Sequence, residues 1–404
     1  MVIDKEYERA IRSYLDKKLE TSAGIRDVGV FELNVIRPFL NDILMSQGDS
    51  YKFSTPVYAW WDLTSACNFR CVHCLYNDSE YSDNTDLSEK QAMELADELI
   101  NDFGLVEIML TGGEIFLKPY LIKLVKKFKE NNCAVRLMTN AALINDKQIE
   151  ELAKLLNPYT DVVQVSLDGA CKETFKKIRR TDLFDKIVSN IEKMVEKGLK
   201  IVIACTVNSI NYYEIEEIYK LVDSIGVEAF VAGRMLYHNE SHAPLMVSNK
   251  DLMLLAERLN KLQGKTLLVP GLFSKIDLLN IPEVEHILQE EKYRTLWDKN
   301  SKPLSRQCHH NDRISIKSDG KIHLCLDTNC PESCLGDYKK NSLLEIWENR
   351  ENNLFFQPRD ISKTGCAGCK YNKICNSGCM AVAYKRSKSI NTPEIECKFC
   401  NSKQ

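Results

Sequence analysis

Asp62-Leu63-Thr64-Ser65-Ala66-Cys67-Asn68-Phe69-Arg70-Cys71-Val72-His73-Cys74 is the stretch on which the reading of this chain turns. It leaves an apolar, aromatic run, Tyr58-Ala59-Trp60-Trp61, that reads as a strand. Cys67, Cys71 and Cys74 stand in the spacing C-x3-C-x2-C. A [4Fe–4S] cube has four irons, each normally bound by one thiolate. Three close cysteines with no local fourth leave one iron open to another ligand. Zinc is the other metal for such a set; it needs a fourth donor, and His73 is the nearest.

Outward from this stretch, strand-like and helix-like runs alternate between Val57 and Gly233. The strands are read at Val106–Leu110, Ala134–Thr139, Val162–Leu167, Lys200–Val207 and Val227–Ala232, after the first at Tyr58–Leu63. Helical spacing fills the gaps: Leu87 to Phe103 with Ser88 placed as a cap, Lys118–Asn131, Asp146–Leu156, Leu183–Lys197 and Tyr213–Ile225. Nearly continuous apolar strands separated by helices argue for a parallel sheet covered on both faces. The six strands read here fall short of the eight of a closed barrel, so an open, partial (β/α)6 TIM-like barrel is expected over residues 56–247. Residues 1–55 read as an N-terminal helical extension, 248–300 as a helical connector broken at Pro270-Gly271, and 301–404 as a small cysteine-rich α+β domain.

The chain has 404 residues, 44% of them hydrophobic, and a net charge of −3. That balance gives no general attraction to nucleic acid or anionic membrane. No apolar run approaches a membrane span, and Asp4, Lys5 and Glu6 do not suit a signal peptide, so a cytoplasmic protein is expected. Ten of the 16 cysteines crowd into the last hundred residues. Without a leader such numbers argue for metal ligands over disulfides. Cys133, Cys171 and Cys205 fall outside any ligand pattern and read as small buried hydrophobes.

At Cys67, Cys71 and Cys74 the chain resembles the radical S-adenosylmethionine (SAM) superfamily. Thr111-Gly112-Gly113-Glu114, at a strand end, resembles that family's Gly-Gly-Glu motif, with Ile115 where proline is usual. The resemblance implies that Glu114 meets the amino group of SAM, with Thr111, Gly112 and Gly113 shaping the loop. His73 fills a position that is often aromatic. Asn140 closes the third strand, and Ser166-Leu167-Asp168-Gly169 resembles the family's Ser-x-Asp-Gly run. Ser166 is thereby implied at the ribose or carboxylate of SAM, and Arg179 at its carboxylate, although an Arg-Arg pair replaces the family's Arg-Gly. Asn208 is a further candidate for a hydroxyl or adenine contact, or a local cap. Asp168 and His238 are the candidate acid or base groups, with Asp62 and His242 also near strand ends; Asp168 equally suits a turn.

Cys308, Gly320 and Cys325 read C-x11-G-x4-C, and Cys366, Cys369, Cys375 and Cys379 read C-x2-C-x5-C-x3-C, followed by Cys397. This order resembles the SPASM domain of radical SAM proteins, which implies two auxiliary clusters and three [4Fe–4S] clusters in all. The family's interleaved ligation would give Cys366, Cys369, Cys375 and Cys397 to the outer cluster and Cys308, Cys325 and Cys379 to the inner one. The inner cluster then has an open iron or borrows Cys330 or Cys334; Cys400 is spare. Ile314 to Cys325 alternates as a hairpin around Asp319-Gly320. The resemblance implies an enzyme that cleaves SAM reductively and oxidises a peptide, with ribosomal-peptide maturation the first expectation. Its partners would be a precursor peptide and an electron donor of flavodoxin or ferredoxin type. A sulfatase-maturing enzyme, a small-molecule or haem-pathway oxidase, and a non-catalytic electron carrier are the alternatives.

Overall fold

A computed structural model describes residues 54–74, 85–236, 240–272, 313–326, 328, 330–357, 359–369 and 377–393. All but the last two residues of the expected N-terminal extension, most of the connector, and Cys308, Cys375, Cys397, Cys400 and His238 lie outside the described residues.

Strand β1 (Tyr58–Thr64) leads to α1 (Glu89–Asn101), β2 (Glu107–Gly112), α2 (Leu121–Glu130), β3 (Ala134–Thr139), α3 (Asp146–Leu155) and β4 (Val162–Ser166). Then come α4 (Lys172–Arg179), α5 (Phe184–Glu196), β5 (Ile201–Val207), α6 (Ile215–Ile225) and β6 (Ala229–Arg234). Ser88 caps α1 as expected: its hydroxyl accepts from Gln91 N while the Gln91 side chain accepts from Ser88 N. Neighbouring strands from β1 to β6 pair in parallel.

Because side chains alternate across a strand, each strand serves two layers. Ala59, Trp61, Leu63, Ile108, Leu110, Val135, Leu137, Val163, Val165, Ile201 and Ile203 join the main core with Leu95 and Leu99 of α1 and Leu124 and Phe128 of α2. The intervening Val162, Val202, Ala229 and Val231 form a separate small cluster on the other face. Truncating one of the fully buried leucines to alanine typically costs about 2–5 kcal/mol.

Two features differ from the expectation. The connector begins with a helix, α7 (Asn249–Leu259), but then adds a strand, β7 (Leu267–Gly271), parallel to β6. Pro270-Gly271 thus ends a strand instead of breaking a helix. Proline is tolerated there because β7 is the edge strand of the sheet. Asp223 fixes its entry by accepting from Lys265 N (2.8 Å) and Thr266 N (2.7 Å). The parallel sheet therefore runs past the expected boundary at residue 247.

The second feature concerns the cysteine-rich region. The expected hairpin is present as β8 (Arg313–Ile316) and β9 (Lys321–His323), turning at Gly320 with φ +90°. Strand β10 (Cys334–Asp337) follows, antiparallel to β9. These strands do not make a sheet of their own. Strand β8 pairs in parallel with β1, giving one open sheet of 10 strands in the order β10-β9-β8-β1-β2-β3-β4-β5-β6-β7. Beyond it, α8 (Leu343–Glu348) packs on α1, and α9 (Met380–Ser387) follows. Glu98 of α1 accepts from Tyr338 Oη (2.9 Å) and Leu343 N (2.7 Å), and Trp347 Nε1 donates to Ser54 O (2.8 Å).

Candidate active site

Strand β1 is released into the Cys67 loop by a bulge. Asp62 pairs with Thr111 and Thr64 with Gly112, so the register slips between them. Asp86 secures the exit: its carboxylate accepts from Thr64 Oγ1 (2.5 Å) and Ser65 N (3.3 Å) and pairs with Lys118 (2.7 Å). Phe69 is buried in the main core and pins the loop. Cys71 is buried, while Cys67 and Cys74 are half-buried. Phe69 N donates to Cys67 Sγ (3.4 Å). Burial pushes the Cys67 thiol up to about 11, with the Phe69 amide opposing; Glu114, Cys71 and Cys74 push it further. The three thiols thus feel one another across one loop. Metal binding must displace their protons.

Among the described residues, no three His, Cys, Asp or Glu side chains are gathered as a single metal ion requires. Three thiolates on one loop suit a cube, whose irons each take one, better than a lone ion with all donors around one centre. Three thiols on one loop are the donors that a [4Fe–4S] cluster with one open iron would use.

Gly112 and Gly113 close the loop against β2. A Cβ on Gly113 would stand 2.0 Å from Ala66 O, and one on Gly112, whose φ is +126°, would stand 2.4 Å from Thr64 O. The contact is sealed by Gly113 N donating to Thr64 O (2.7 Å) and Glu114 N to Ala66 O (2.9 Å). The glycines are needed here for the approach of backbone to backbone, a demand that precedes any ligand.

Glu114 is fully buried. Its carboxylate accepts from Thr139 Oγ1 (2.6 Å), Asn140 N (2.8 Å) and Phe116 N (3.1 Å). Burial pushes its carboxyl up, and these three donors oppose that. In the structure Glu114 is a brace between the ends of β2 and β3. Asn140 extends the brace, its Nδ2 donating to Asn68 Oδ1 (2.8 Å) in the cysteine loop. Thr111 stands opposite Asp62 at the end of β2, and Ile115, in the usual proline position, opens a 3-10 turn, Ile115–Leu117, in which Ile115 and Phe116 are buried.

A buried ionic group lies behind Cys71. Asp168 is fully buried and pairs with Arg179, while its Oδ1 accepts from Thr206 N (2.7 Å). His73 Nε2 is 3.6 Å from Asp168 Oδ2. Arg179 Nη1 donates to Cys71 Sγ (3.5 Å). Burial lowers the His73 pKa to about 4, with Asp168 opposing, so the imidazole is neutral at pH 7. His242, on the 3-10 turn Glu240–Leu245, is fully buried and close enough to His73 to disfavour its charge.

The structure shows what two of the candidate residues contact. Asp168, a candidate acid or base, is buried and pairs with Arg179. Asn208, read as a candidate SAM contact, closes the turn after β5: its Nδ2 donates to Thr206 O (2.9 Å) and its Oδ1 accepts from Ile210 N (2.9 Å). Ser166 ends β4 half-buried, opposite Ala204. Asp86, Asn68 and Thr206 had no local signal, since each acts on a residue far away in sequence or through its backbone.

In the C-terminal region, Cys325 follows β9, and its N–H donates to Thr328 Oγ1 (3.0 Å). Cys330 and Cys334 flank the 3-10 turn Pro331–Ser333. Ser333 Oγ donates to Cys330 O (2.8 Å) and meets His323 Nδ1 (3.0 Å), and Cys334 Sγ lies 3.3 Å from Gly336 O. Cys366 N–H and Cys369 N–H face a tight turn, the latter donating to Cys366 O (3.2 Å), and Cys379 is the N-cap of α9. Cys330, Cys369 and Cys379 border the same core. Cys133 and Cys205 are buried as expected, and Cys171 is the N-cap of α4.

Known proteins place this arrangement. A family model described as "Radical SAM superfamily" matches residues 61–222, and one described as "Iron-sulfur cluster-binding domain" (SPASM) matches residues 308–370. An AdoMet-dependent heme synthase of Methanosarcina barkeri is 24% identical over 84% of this chain and 95% of its own length. Mycofactocin maturase MftC of Mycobacterium tuberculosis is 25% identical over 85% of this chain and 83% of its own length. The crystal structure of Streptococcus suis SuiB bound to S-adenosylmethionine shares the fold with a TM-score of 0.66 at 16% identity, covering 99% of this chain and 94% of that one. With a cysteine loop leaving the first strand of a mostly parallel α/β sheet and a cysteine-rich appendage joined to that same strand, the chain belongs to the radical SAM superfamily, as an enzyme with a C-terminal SPASM domain.

Proposed function

We propose that this enzyme matures a ribosomally made precursor peptide, oxidising it with formation of a thioether or carbon–carbon crosslink. The observation that carries the reading is the match to mycofactocin maturase MftC along 85% of the chain, from barrel into SPASM domain. The fold likeness to SuiB, solved also with its precursor peptide SuiA, is consistent with it.

In this reading Cys67, Cys71 and Cys74 would hold a [4Fe–4S] cluster with an iron left for SAM. When bound and reduced, that pair supplies a 5′-deoxyadenosyl radical able to take a hydrogen atom from carbon. The chain's own part is placement. The bulge after Asp62 and the Gly112-Gly113 contact fix the loop, and Glu114, Thr139 and Asn140 brace its far side. Burial of Cys71, His73 and Asp168 keeps water from one wall. Thr111, Ser166 and Arg179 stand at or near the ends of the elements facing this loop and are the candidates for SAM. Two auxiliary clusters, held by Cys308, Cys325, Cys366, Cys369, Cys375, Cys379 and Cys397 with Cys330 or Cys334 as a further ligand, would take up the second electron. A flavodoxin or ferredoxin would supply the first.

The heme synthase match, at 95% of that protein's length, favours a second reading: a haem-pathway oxidase acting on a small molecule. Anaerobic reconstitution followed by SAM, dithionite and candidate substrates separates them. A precursor peptide encoded beside the gene should lose one pair of hydrogens as 5′-deoxyadenosine forms. Turnover of a porphyrin and none of the peptide would replace the first reading by the second.

A further inference from the structure

We infer that Arg179 is a positioning residue for the Cys67–Cys71–Cys74 cluster: anchored by Asp168, it donates a hydrogen bond to the Cys71 sulfur and raises the reduction potential of that cluster. The inference rests on reading these three cysteines as the cluster ligands. It assigns Arg179 a task that is complete before SAM binds.

The geometry is built from several elements at once. Arg179 is the last residue of α4, and Arg180, at φ +58°, ends the helix. Val72 N donates to Ile178 O (2.9 Å), so the cysteine loop is docked on that same last turn. This contact sets Arg179 Nη1 3.5 Å from Cys71 Sγ, although the two residues are 108 positions apart. The other side of the guanidinium is taken by Asp168, itself fully buried and tied to β5 through Thr206 N. Arg179 is buried with it, whereas Arg180 is exposed and turned away by the cap.

A donor on a ligand sulfur withdraws negative charge from the cluster. Adding an electron makes the cluster more negative, so the donor favours the reduced form. Little water is present to screen the effect. One electron enters the cluster in this step, and no bond is made or broken.

The test is an EPR-monitored redox titration of the full-length, reconstituted enzyme without SAM. The component belonging to this cluster is the one missing from the Cys67→Ala/Cys71→Ala/Cys74→Ala variant. In Arg179→Gln its reduced-to-oxidised ratio at fixed potential should fall at least tenfold, which is a 59 mV shift for one electron, with iron content unchanged. Arg179→Lys, which keeps the charge but not the fork, should shift less, and it decides the matter where the glutamine variant does not fold. An unchanged midpoint with weaker SAM binding would overturn the inference and leave Arg179 as a SAM ligand only. A folded variant that assembles no cluster would overturn it too, because tuning is not ligation. Absence of any such component in the wild type would instead sink the ligand reading on which it rests.

Discussion

The Cys67–Cys74 loop hangs from the middle of a ten-stranded sheet, with strands on both sides of β1; Cys325, Cys330 and Cys334 sit at its far margin, around a hairpin and one edge strand. In the first region, backbone is clamped on backbone. Gly113 could not carry a Cβ, and the main-chain groups of Thr64 and Ala66 are bonded across to β2. In the second, the cysteines are held by short local devices: Thr328 on Cys325, Ser333 on Cys330, and a cap at Cys379. The difference teaches that the first site is shaped by the fold before metal arrives. A metal bound in the second would supply part of the order that such short local turns do not.

The sharpest way to break this comparison is to remove ligands from each side. Replacing Cys67, Cys71 and Cys74 together by alanine should remove about four irons and abolish 5′-deoxyadenosine formation, with far-UV circular dichroism unchanged. Cleavage of SAM by that variant would end the assignment. Gly113→Ala should be worse for the fold than the triple cysteine change. Its Cβ meets a carbonyl oxygen at 2.0 Å, so a loss of at least about 3 kcal/mol in urea unfolding is expected. Chelation of the metals should then open the C-terminal region selectively: protease cuts beyond β8 should appear while the sheet from β1 to β7 stays protected. Equal protection of both halves would show that the margin does not depend on its metal.

Smaller changes probe the joints. Glu98→Ala strips Tyr338 Oη and Leu343 N of their acceptor where α1 meets the appendage, and should cost about 1–3 kcal/mol. Asp223→Ala frees the two amides that start β7 and should cost about 1–2 kcal/mol. The Asp223 carboxyl is held below its ordinary 3.8, first by the Thr266 amide. Its folded pKa is depressed, so its contribution is complete above about pH 4 and fades as pH falls through the folded value. The alanine variant should therefore lose that part of the acid sensitivity, read from stability curves between pH 5 and 3.

Much of the fold could be read in advance because it is local. Apolar strands at Val106–Leu110 or Lys200–Val207 and a cap at Ser88 are written in neighbouring residues. Strand β7 was hidden because three apolar residues before a proline look like the end of a helix; its identity comes from β6 beside it. At the site, the cysteines, Gly112, Gly113 and Arg179 were visible as types. Asp168 was visible too, but its partners were not: Arg179 and Thr206 reach it from two other elements.

By itself, then, the sequence determined the alternation of strands and helices and the close C-x3-C-x2-C spacing of three thiols, because each depends on residue type and short separation. Only the tertiary structure decided that β8 extends the barrel's own sheet through β1, that the Gly-Gly pair serves the cysteine loop's backbone, and that an arginine 108 residues away leans on Cys71. The physical reason is the same in all three. Backbone pairing, close approach and a buried charge each require a partner that arrives from elsewhere in the chain, and no local pattern carries its address.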